Sequence, residues 1–424
     1  MRKTIIGTGI FNLDTIVVRD YPAWPALRPF VDKEVLEEVG GTCGNVMSML
    51  AWMGWDAKPV ARLDDSAEGI KITEGLKSFG CDCRYVTNTP EGGTTLLRCT
   101  HKKDAEGNHV MSVRAGSPGG SRFPKRHFLR ARDEAVEFLA ALGKNETPSV
   151  FFFDDPAAGN RVLAKGMRDR GALVYFEPSR VSTNPDLEAV RVSDIVKFSD
   201  ENVPDVSFVD AFPDKVFIQT MGAKGLRIKY KKQPWHVIDN TVPDYGKVVD
   251  TEGAGDWLTA AFLNELFLLG VKSFKSLNHS LAITAAAHAM YTAAKSVRYL
   301  GSKGMIHAMP PMNIEGAEDC PWCIPIMRDA AQRLMLFWKG SRLDELDMNL
   351  RVVDWDHKRI YLCKQSRREN EKLQDDYTIR TWDSSKQGIV RWTLFRTVPD
   401  EDPGVYHGEE IWADISDCFR ELGL

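Results

Sequence analysis

The order of apolar and amphipathic runs along the chain predicts an α/β protein: a mostly parallel sheet between two helical layers, beside a small second sheet. An α+β C-terminal appendage completes the expectation. Three observations carry it. Residues 1–310 alternate short β-rich runs with amphipathic stretches, the rhythm of a parallel sheet whose crossovers are helices. Runs such as Ser149-Val150-Phe151-Phe152-Phe153 are almost wholly apolar, which suits a strand buried on both faces. Two segments, Asp14–Val35 and Thr94–Ala115, alternate polar and apolar residues instead, and suit a half-exposed sheet.

Taken in order, the expected core strands are Thr4–Gly7, Lys58–Ala61, Val150–Phe153, Ala172–Phe176, Ile195–Lys197 and Val216–Thr220. Helical spacing falls at Val46–Met53, Gly69–Phe79, Arg130–Leu142, Arg161–Arg170 and Leu187–Val192. Asp104-Ala105-Glu106-Gly107-Asn108 supplies a hairpin turn inside the second alternating segment. Trp257–Val271 is strongly apolar, but Asn264 and Glu265 interrupt it. A spanning helix needs about 20 apolar residues, so this stretch reads as a buried helix. The character changes around Pro310-Pro311. Residues 311–424 are rich in Trp, Arg and Asp, with a helix at Met327–Lys339 and strand-like runs at Leu350–Trp355, Arg359–Lys364, Thr378–Trp382 and Ile389–Val398. They read as a separate extension, for which homodimerisation, lid support and regulation are all open.

Composition narrows the function classes. Lys+Arg 55 against Asp+Glu 59 leaves a net charge of −4, so no basic excess advertises nucleic acid or an anionic membrane. Lys229, Lys231 and Lys232 read as solvated strand ends. The first residues have a basic start, but Gly7, Gly9, Asn12 and Asp14 break the apolar stretch before a signal-peptide body could form. The eight cysteines are scattered, and a chain of 424 residues needs no staples. A cytoplasmic protein with reduced thiols is expected.

The most informative stretch is Asp250-Thr251-Glu252-Gly253-Ala254-Gly255-Asp256, followed at once by the apolar helix. Gly253 and Gly255 let a ligand approach the backbone, and the first amides of a helix are unpaired donors that suit phosphate. A carboxylate there would repel an anion, yet it suits a base that takes a proton from a hydroxyl attacking that phosphate. The structural alternative is an ordinary first-turn acid favoured by the helix dipole. Gly40-Gly41-Thr42-Cys43-Gly44-Asn45 is either a tight turn with a cap or a cradle for a polyhydroxylated ligand. Thr220-Met221-Gly222-Ala223-Lys224-Gly225 follows a predicted strand and is either a hairpin turn or a nucleotide-phosphate loop.

Here the sequence resembles the ribokinase-like, or PfkB, carbohydrate and nucleoside kinases. Asp250 to Asp256 matches the family's D-T-x-G-A-G-D signature. Gly40-Gly41 through Asn45 resembles its G-G-x-x-x-N element, Asn12-Leu13-Asp14 its sugar-contacting segment, and Thr220 to Gly225 its T-x-G-x-x-G loop. The order holds across roughly residues 1–310. The resemblance implies a ribokinase-like three-layer core and ATP-dependent phosphorylation of a hydroxyl on a small sugar. A nucleoside acceptor or a non-catalytic sugar-binding regulator are the rival readings. It implies that Asp256 is the catalytic base and that the amides of Gly253, Ala254 and Gly255 form an anion hole. Asn12, Asp14, Gly41 and Asn45 would hold the sugar. Thr220, Gly222 and Gly225 would contact ATP phosphates, with adenine near His279–Ala287 and Gly301–Gly304. Asp250 and Thr251 fall where family members often hold a monovalent cation such as K+. The two alternating segments, about 14–35 and 94–115, would be a lid over the substrate.

One departure concerns magnesium. The family often carries N-x-x-E after the strand at Ile195–Lys197, whereas this chain has Ser199-Asp200-Glu201-Asn202. Asp200 or Glu201 is the expected substitute, acting through water, because Mg2+ keeps much of its hydration shell. Gly7-Thr8-Gly9-Ile10-Phe11-Asn12 lacks the third glycine of a dinucleotide fingerprint, and no P-loop pattern occurs. Cys320-Pro321-Trp322-Cys323 reads first as a turn with buried thiols, ahead of a metal or redox pair. The Trp-rich tail reads as a small core or subunit contact rather than a base-stacking surface.

Overall fold

A computed structural model describes residues 3–20, 31–103, 109–118, 132–143, 146–239, 248–271, 273–308, 350–356, 359–364, 377–384, 389–399 and 406–412. The elements run β1 (Thr4–Thr8), β2 (Asn12–Asp20), β3 (Val31–Gly40), α1 (Thr42–Trp52), β4 (Asp56–Leu63), α2 (Ala67–Ser78), β5 (Tyr85–Asn88), β6 (Thr95–Lys103) and β7 (His109–Gly116). They continue with α3 (Arg132–Ala141), β8 (Val150–Phe153), α4 (Ala158–Asp169), β9 (Leu173–Phe176), α5 (Asn184–Val192), β10 (Ile195–Ser199), β11 (Val216–Thr220), β12 (Gly225–Tyr230) and β13 (Trp235–Asp239). Then come α6 (Ala254–Leu268), α7 (His279–Ser296), α8 (Gly304–His307) and five C-terminal strands, β14 (Leu350–Asp356), β15 (Arg359–Lys364), β16 (Tyr377–Ser384), β17 (Ile389–Pro399) and β18 (Tyr406–Trp412).

The main sheet has the order β13-β12-β11-β10-β9-β8-β1-β4-β5. From β11 to β5 every neighbour pair is parallel, and β12 and β13 add an antiparallel edge. The expected α/β class is therefore the observed one. Its central strands are apolar because both faces are covered. All four residues of β8 and all four of β9 are buried. Alternate side chains feed two separate cores: Phe152 and Tyr175 stack on the α1/α6/α7 side, and Phe153 and Phe176 stack on the α4/α5 side. Helix α6 is apolar nearly all round, with Trp257, Ala260 and Phe262 fully buried, which marks it as an interior helix. Among the described residues no helix is long and apolar enough to cross a membrane.

The second sheet has the order β3-β2-β6-β7. Its strands come from the two alternating segments, although the first reaches Gly40 rather than Val35. Ile16 and Cys99, paired across β2 and β6, are buried, while Val113 of β7 is exposed. Beyond residue 349 the described strands form an antiparallel five-stranded meander, β14 to β18 in order. Its first four strands fall on the four expected runs, and β18 was not anticipated. The expected helix at Met327–Lys339, Cys320 and Cys323, and the hairpin turn at 104–108 lie outside the described residues.

Candidate active site

Parallel strands point their carboxyl ends the same way, and open α/β sheets bind ligands along that edge. Here that edge is unusually polar for so apolar a sheet. Directly after β8 comes Asp154, and after β9 comes Glu177; Lys197 lies within β10, one turn of the pleat from its end. Asp154 is 4% exposed, and its carboxylate accepts the amides of Ile10 (2.9 Å) and Cys43 (2.9 Å). Burial, reinforced by Asp155, pushes its pKa well up. It fastens the loop after β1 to the start of α1. Gly9 is required there, because a Cβ would lie 1.8 Å from Asp154 Oδ1.

Helix α1 begins at Thr42, four residues before the apolar periodicity suggests, and no side chain caps it. Its first amides go to Asp154 and to the Ile10 carbonyl, which receives Gly44 N at 3.2 Å. Asn45 is thus a first-turn residue whose side chain is free for other work. Its Nδ2 donates to Asp256 Oδ2 at 2.6 Å. Its Oδ1 accepts from Ser302 Oγ at 3.0 Å and from Lys303 Nζ.

The glycine turn before α6 is built by three fastenings. Asp250, 1% exposed, accepts the amides of Glu252 (2.9 Å) and Gly301 (2.9 Å). Gly253, the N-cap, has φ 74°, and a Cβ there would come within 2.5 Å of Ser302 Cβ. Trp257 Nε1 donates to the Ser302 carbonyl at 2.8 Å. Lys197, 2% exposed, donates to the Gly255 carbonyl at 2.7 Å, to Thr259 Oγ1 at 3.0 Å and to Glu177 Oε1. Because a trans peptide sets its N–H opposite its C=O, anchoring the Gly255 carbonyl on Lys197 turns the Asp256 amide the other way. The amides of Gly255 and Asp256 belong to the first helical turn and have no carbonyl four residues back within the helix.

Asp256 is partly buried, and its pKa is raised to about 7. Burial is the main cause and Glu177 adds to it, while Lys197, the Asn45 hydrogen bond and Lys303 oppose it. Only one of its oxygens is engaged by the described residues. The arrangement places a carboxylate able to exchange a proton near neutrality at the same helix tip as two available amides.

Strand β2 brings Asn12 and Asp14 to the other side of the turn. Both are buried, at 4% and 3% exposure, and Asn12 Oδ1 and Asp14 Oδ1 have no hydrogen-bond partner among the described residues. Glu252 Oε2 is also unpartnered, while Glu252 Oε1 accepts the Cys99 thiol at 3.4 Å. Burial raises Asp14 to about 7, against the pull of Lys303 and with the push of Glu252, Glu38 and Asp256. Three buried acceptors without donors suit a ligand that brings hydroxyl groups.

A family model described as pfkB family carbohydrate kinase matches residues 28–308. The chain belongs to this family. "Probable fructokinase-5" of Arabidopsis thaliana is 27% identical over 300 residues, spanning 65% of this chain and 86% of that protein. Among solved structures, the Xylella fastidiosa fructokinase with bound ATP aligns at TM-score 0.52 with 16% identity, covering 73% of this chain and 96% of the other. The Arabidopsis thaliana ribokinase complexed with ribose and ATP aligns at TM-score 0.50 with 20% identity, covering 73% and 96%. At these identities the structures establish the shared fold.

Within this PfkB kinase the sequence-predicted residues are brought together unevenly. Asn45 and Asp256 touch; Gly301, after α7, is fastened to the loop of Asp250 and Gly253 through its amide; Gly41 is the N-cap of α1, its Cα against the Ile10 carbonyl. Thr251 is exposed, and its carbonyl accepts Ala254 N at 3.3 Å. Thr220, Gly222 and Gly225 form the turn between the antiparallel strands β11 and β12, so the segment is a hairpin turn. Asp200 and Glu201 follow β10, and the Asp200 amide donates to the Thr220 carbonyl at 2.9 Å, joining that turn. His279 and Gly301 have different surroundings: His279 stacks edgewise on Tyr230 and His236, whereas Gly301 lies against Ile16 and Glu38.

Sequence reading missed Asp154, Glu177 and Lys197, and it set Ser302 and Lys303 only in a stretch expected near adenine, whereas both contact Asn45. For the first three a signal exists: a charged residue in or just after a fully apolar strand, at the carboxyl edge of a parallel sheet. Lys303, flanked by Ser302 and Gly304, gives no such signal, yet it is fully buried.

Proposed function

We propose that the protein transfers the γ-phosphoryl group of ATP to a hydroxyl of a small sugar, with Asp256 as the base. The carrying observation is the Asn45–Asp256 contact at the tip of α6 beside the first-turn amides. The acceptor hydroxyl gives its proton to the free Asp256 oxygen as its own oxygen attacks the γ-phosphorus, and the bond to the ADP leaving oxygen breaks. The amides of Gly255 and Asp256, and the turn through Gly253 and Ala254, receive the charge that develops on the phosphoryl oxygens. Asn12, Asp14, Gly41 and Asn45 border the acceptor, and the unpartnered oxygens of Asn12 and Asp14 favour a polyol. The sheet β3-β2-β6-β7 is the lid that excludes water.

ATP would lie along the Thr220–Gly225 turn, where Gly222 has φ 56° and open space at its Cα, so a phosphate can approach the backbone. Asp200 and Glu201 fit the outer sphere of Mg2+, since neither carboxylate is engaged by a described residue. Mg2+ bound there would neutralise phosphate charge. A monovalent cation would belong at Asp250 and Thr251, an oxygen-only donor set.

Asp256→Asn tests the role. It keeps the shape and the contact with Asn45 but cannot take a proton, so kcat should fall at least about 10²-fold. ATP consumption against ketoses, aldoses and nucleosides identifies the acceptor. Near-normal turnover by Asp256→Asn sinks the proposed base, and sugar binding without ATP consumption sinks the kinase reading.

A further inference from the structure

Lys303 lies in the turn after Gly301 with no exposed surface. Its ammonium donates to three oxygens: Asn45 Oδ1, the Val39 carbonyl and Ser302 Oγ (3.1 Å). Burying a lysine costs several kcal/mol unless partners compensate. Lysine only donates, while an asparagine amide presents an acceptor at one end and a donor at the other. With Lys303 Nζ and Ser302 Oγ both directed at one end of Asn45, that end must be the oxygen. The NH2 end then faces Asp256 Oδ2 at 2.6 Å. Rotating the amide by 180° would put its NH2 against the ammonium and its oxygen against a carboxylate. Both polar ends of Asn45 are thereby committed, which makes it a bridge more than a sugar ligand.

We propose that Lys303 is a positioning residue that locks the Asn45 amide and, through it, aims and acidifies the Asp256 carboxyl for catalysis. This rests on the kinase reading only for the word catalysis; the Lys303–Asn45–Asp256 relay stands on its own contacts. The ionisable groups around Asp256 are Glu177 after β9, Lys197 on β10, Asp14 on β2, Cys43 on α1 and Lys303 itself. Around Lys303 are Asp14, Glu38, Glu252 and Asp256, with Cys81 at the edge of α2. His307 is paired with Glu38 at 3.2 Å and not with the relay. Among the charges facing Asp256, Lys197 holds the helix turn directly, and Lys303 reaches Asp256 through an amide. Removing Lys303 therefore removes both a positive charge and the reason for the Asn45 orientation.

The test is the Asp256 titration in the full-length protein. The carboxyl signal is followed by 13C NMR, assigned as the resonance missing from Asp256→Asn. Lys303→Met should move the midpoint up by about one unit, the lower end of what a nearby opposite charge supplies. Lys303→Gln, one bond shorter and still a hydrogen-bond donor but without charge, should move it in the same direction and serves if the Met variant does not fold. In the active enzyme the acid limb of the kcat–pH profile should move by the same amount. Activity should then recover at higher pH, and KM for ATP should stay unchanged. A midpoint within about 0.2 units of wild type in whichever variant folds overturns the relay. So does a loss of kcat equal at every pH, the signature of a purely structural role. If wild type consumes no ATP with any acceptor, the kinase reading fails, and the NMR midpoint still decides the relay.

Discussion

Asp14→Asn should make the protein more stable at neutral pH while weakening its grip on the acceptor. The side chain is 3% exposed, one of its oxygens has no partner among the described residues, and its pKa is raised from 3.8 to about 7. The unfolded chain releases this proton near 3.8; the folded chain keeps it to about 7. Between those values the folded state binds more protons, so wild-type stability falls as pH rises, being fully present below 3.8 and lost above 7. The difference of about 3 units corresponds to about 4 kcal/mol, at about 1.4 kcal/mol per unit. Asparagine has nearly the same shape and cannot ionise, so the variant escapes that loss. Its advantage over wild type should grow from about 2 kcal/mol at pH 5 to about 4 kcal/mol at pH 8. Urea unfolding followed by tryptophan fluorescence at both pH values measures the difference directly. The neighbours Lys303, Glu252, Glu38 and Asp256 are common to both proteins, so the comparison isolates Asp14 and its couplings. A difference that stays flat with pH, or a variant less stable than wild type at pH 8, refutes the reasoning. The expected cost appears in KM for the sugar, which should rise.

Other perturbations probe other links. Gly253→Ala forces a Cβ to within 2.5 Å of Ser302 at φ 74°, and should cost about 1–3 kcal/mol in stability along with most of kcat; a crystal structure showing the turn unmoved with full activity would contradict it. Lys197→Met releases the Gly255 carbonyl and strands Glu177 without its cation, so kcat should fall about tenfold or more with little change in KM for the sugar, as steady-state kinetics would read. Wild-type kcat should rise with pH and level off above about 7, the value to which Asp256 is raised, because the base works only when ionised; a rate that falls across that range points to a different group. Phe152→Ala opens a hole in the α1/α6/α7 core and should cost about 3–5 kcal/mol without altering the pH profile.

The sheet was legible because burial on both faces leaves a mark that one-sided burial does not. Val150–Phe153 and Val216–Thr220 coincide with β8 and β11 residue for residue. Strands β12 and β13 were harder. They add an antiparallel end to the sheet, where Arg227, Lys229, His236 and Asp239 interrupt the apolar signal and only β13 is largely exposed. The start of α1 was misplaced for a different reason. Gly41 and Thr42 are poor helix formers without a capping side chain, and the helix begins there because Asp154 and the Ile10 carbonyl, distant in sequence, receive its amides. Tertiary contacts overrode local propensity.

The same logic explains which half of the site could be read. Asp256, Gly253 and Asn45 sit in glycine-rich turns whose composition has no use in a core, so their spacing stands out. Lys303, Asp154 and Glu177 act by what they touch across the fold; the two acids show only as charges closing apolar strands, and Lys303 looks unremarkable beside its sequence neighbours. Yet an apolar residue at Lys303 or Asp14 would suit the buried setting better, since both carry charge into a region almost closed to water. Keeping several opposed charges there is costly to the fold and useful only if a ligand or a proton is to be handled. If so, the stabilising effect of Asp14→Asn and the displaced titration of Lys303→Met should be independent of the core. Each added to Phe152→Ala should leave its own increment unchanged, because Phe152 packs with Tyr175 beneath the sheet and bonds with neither.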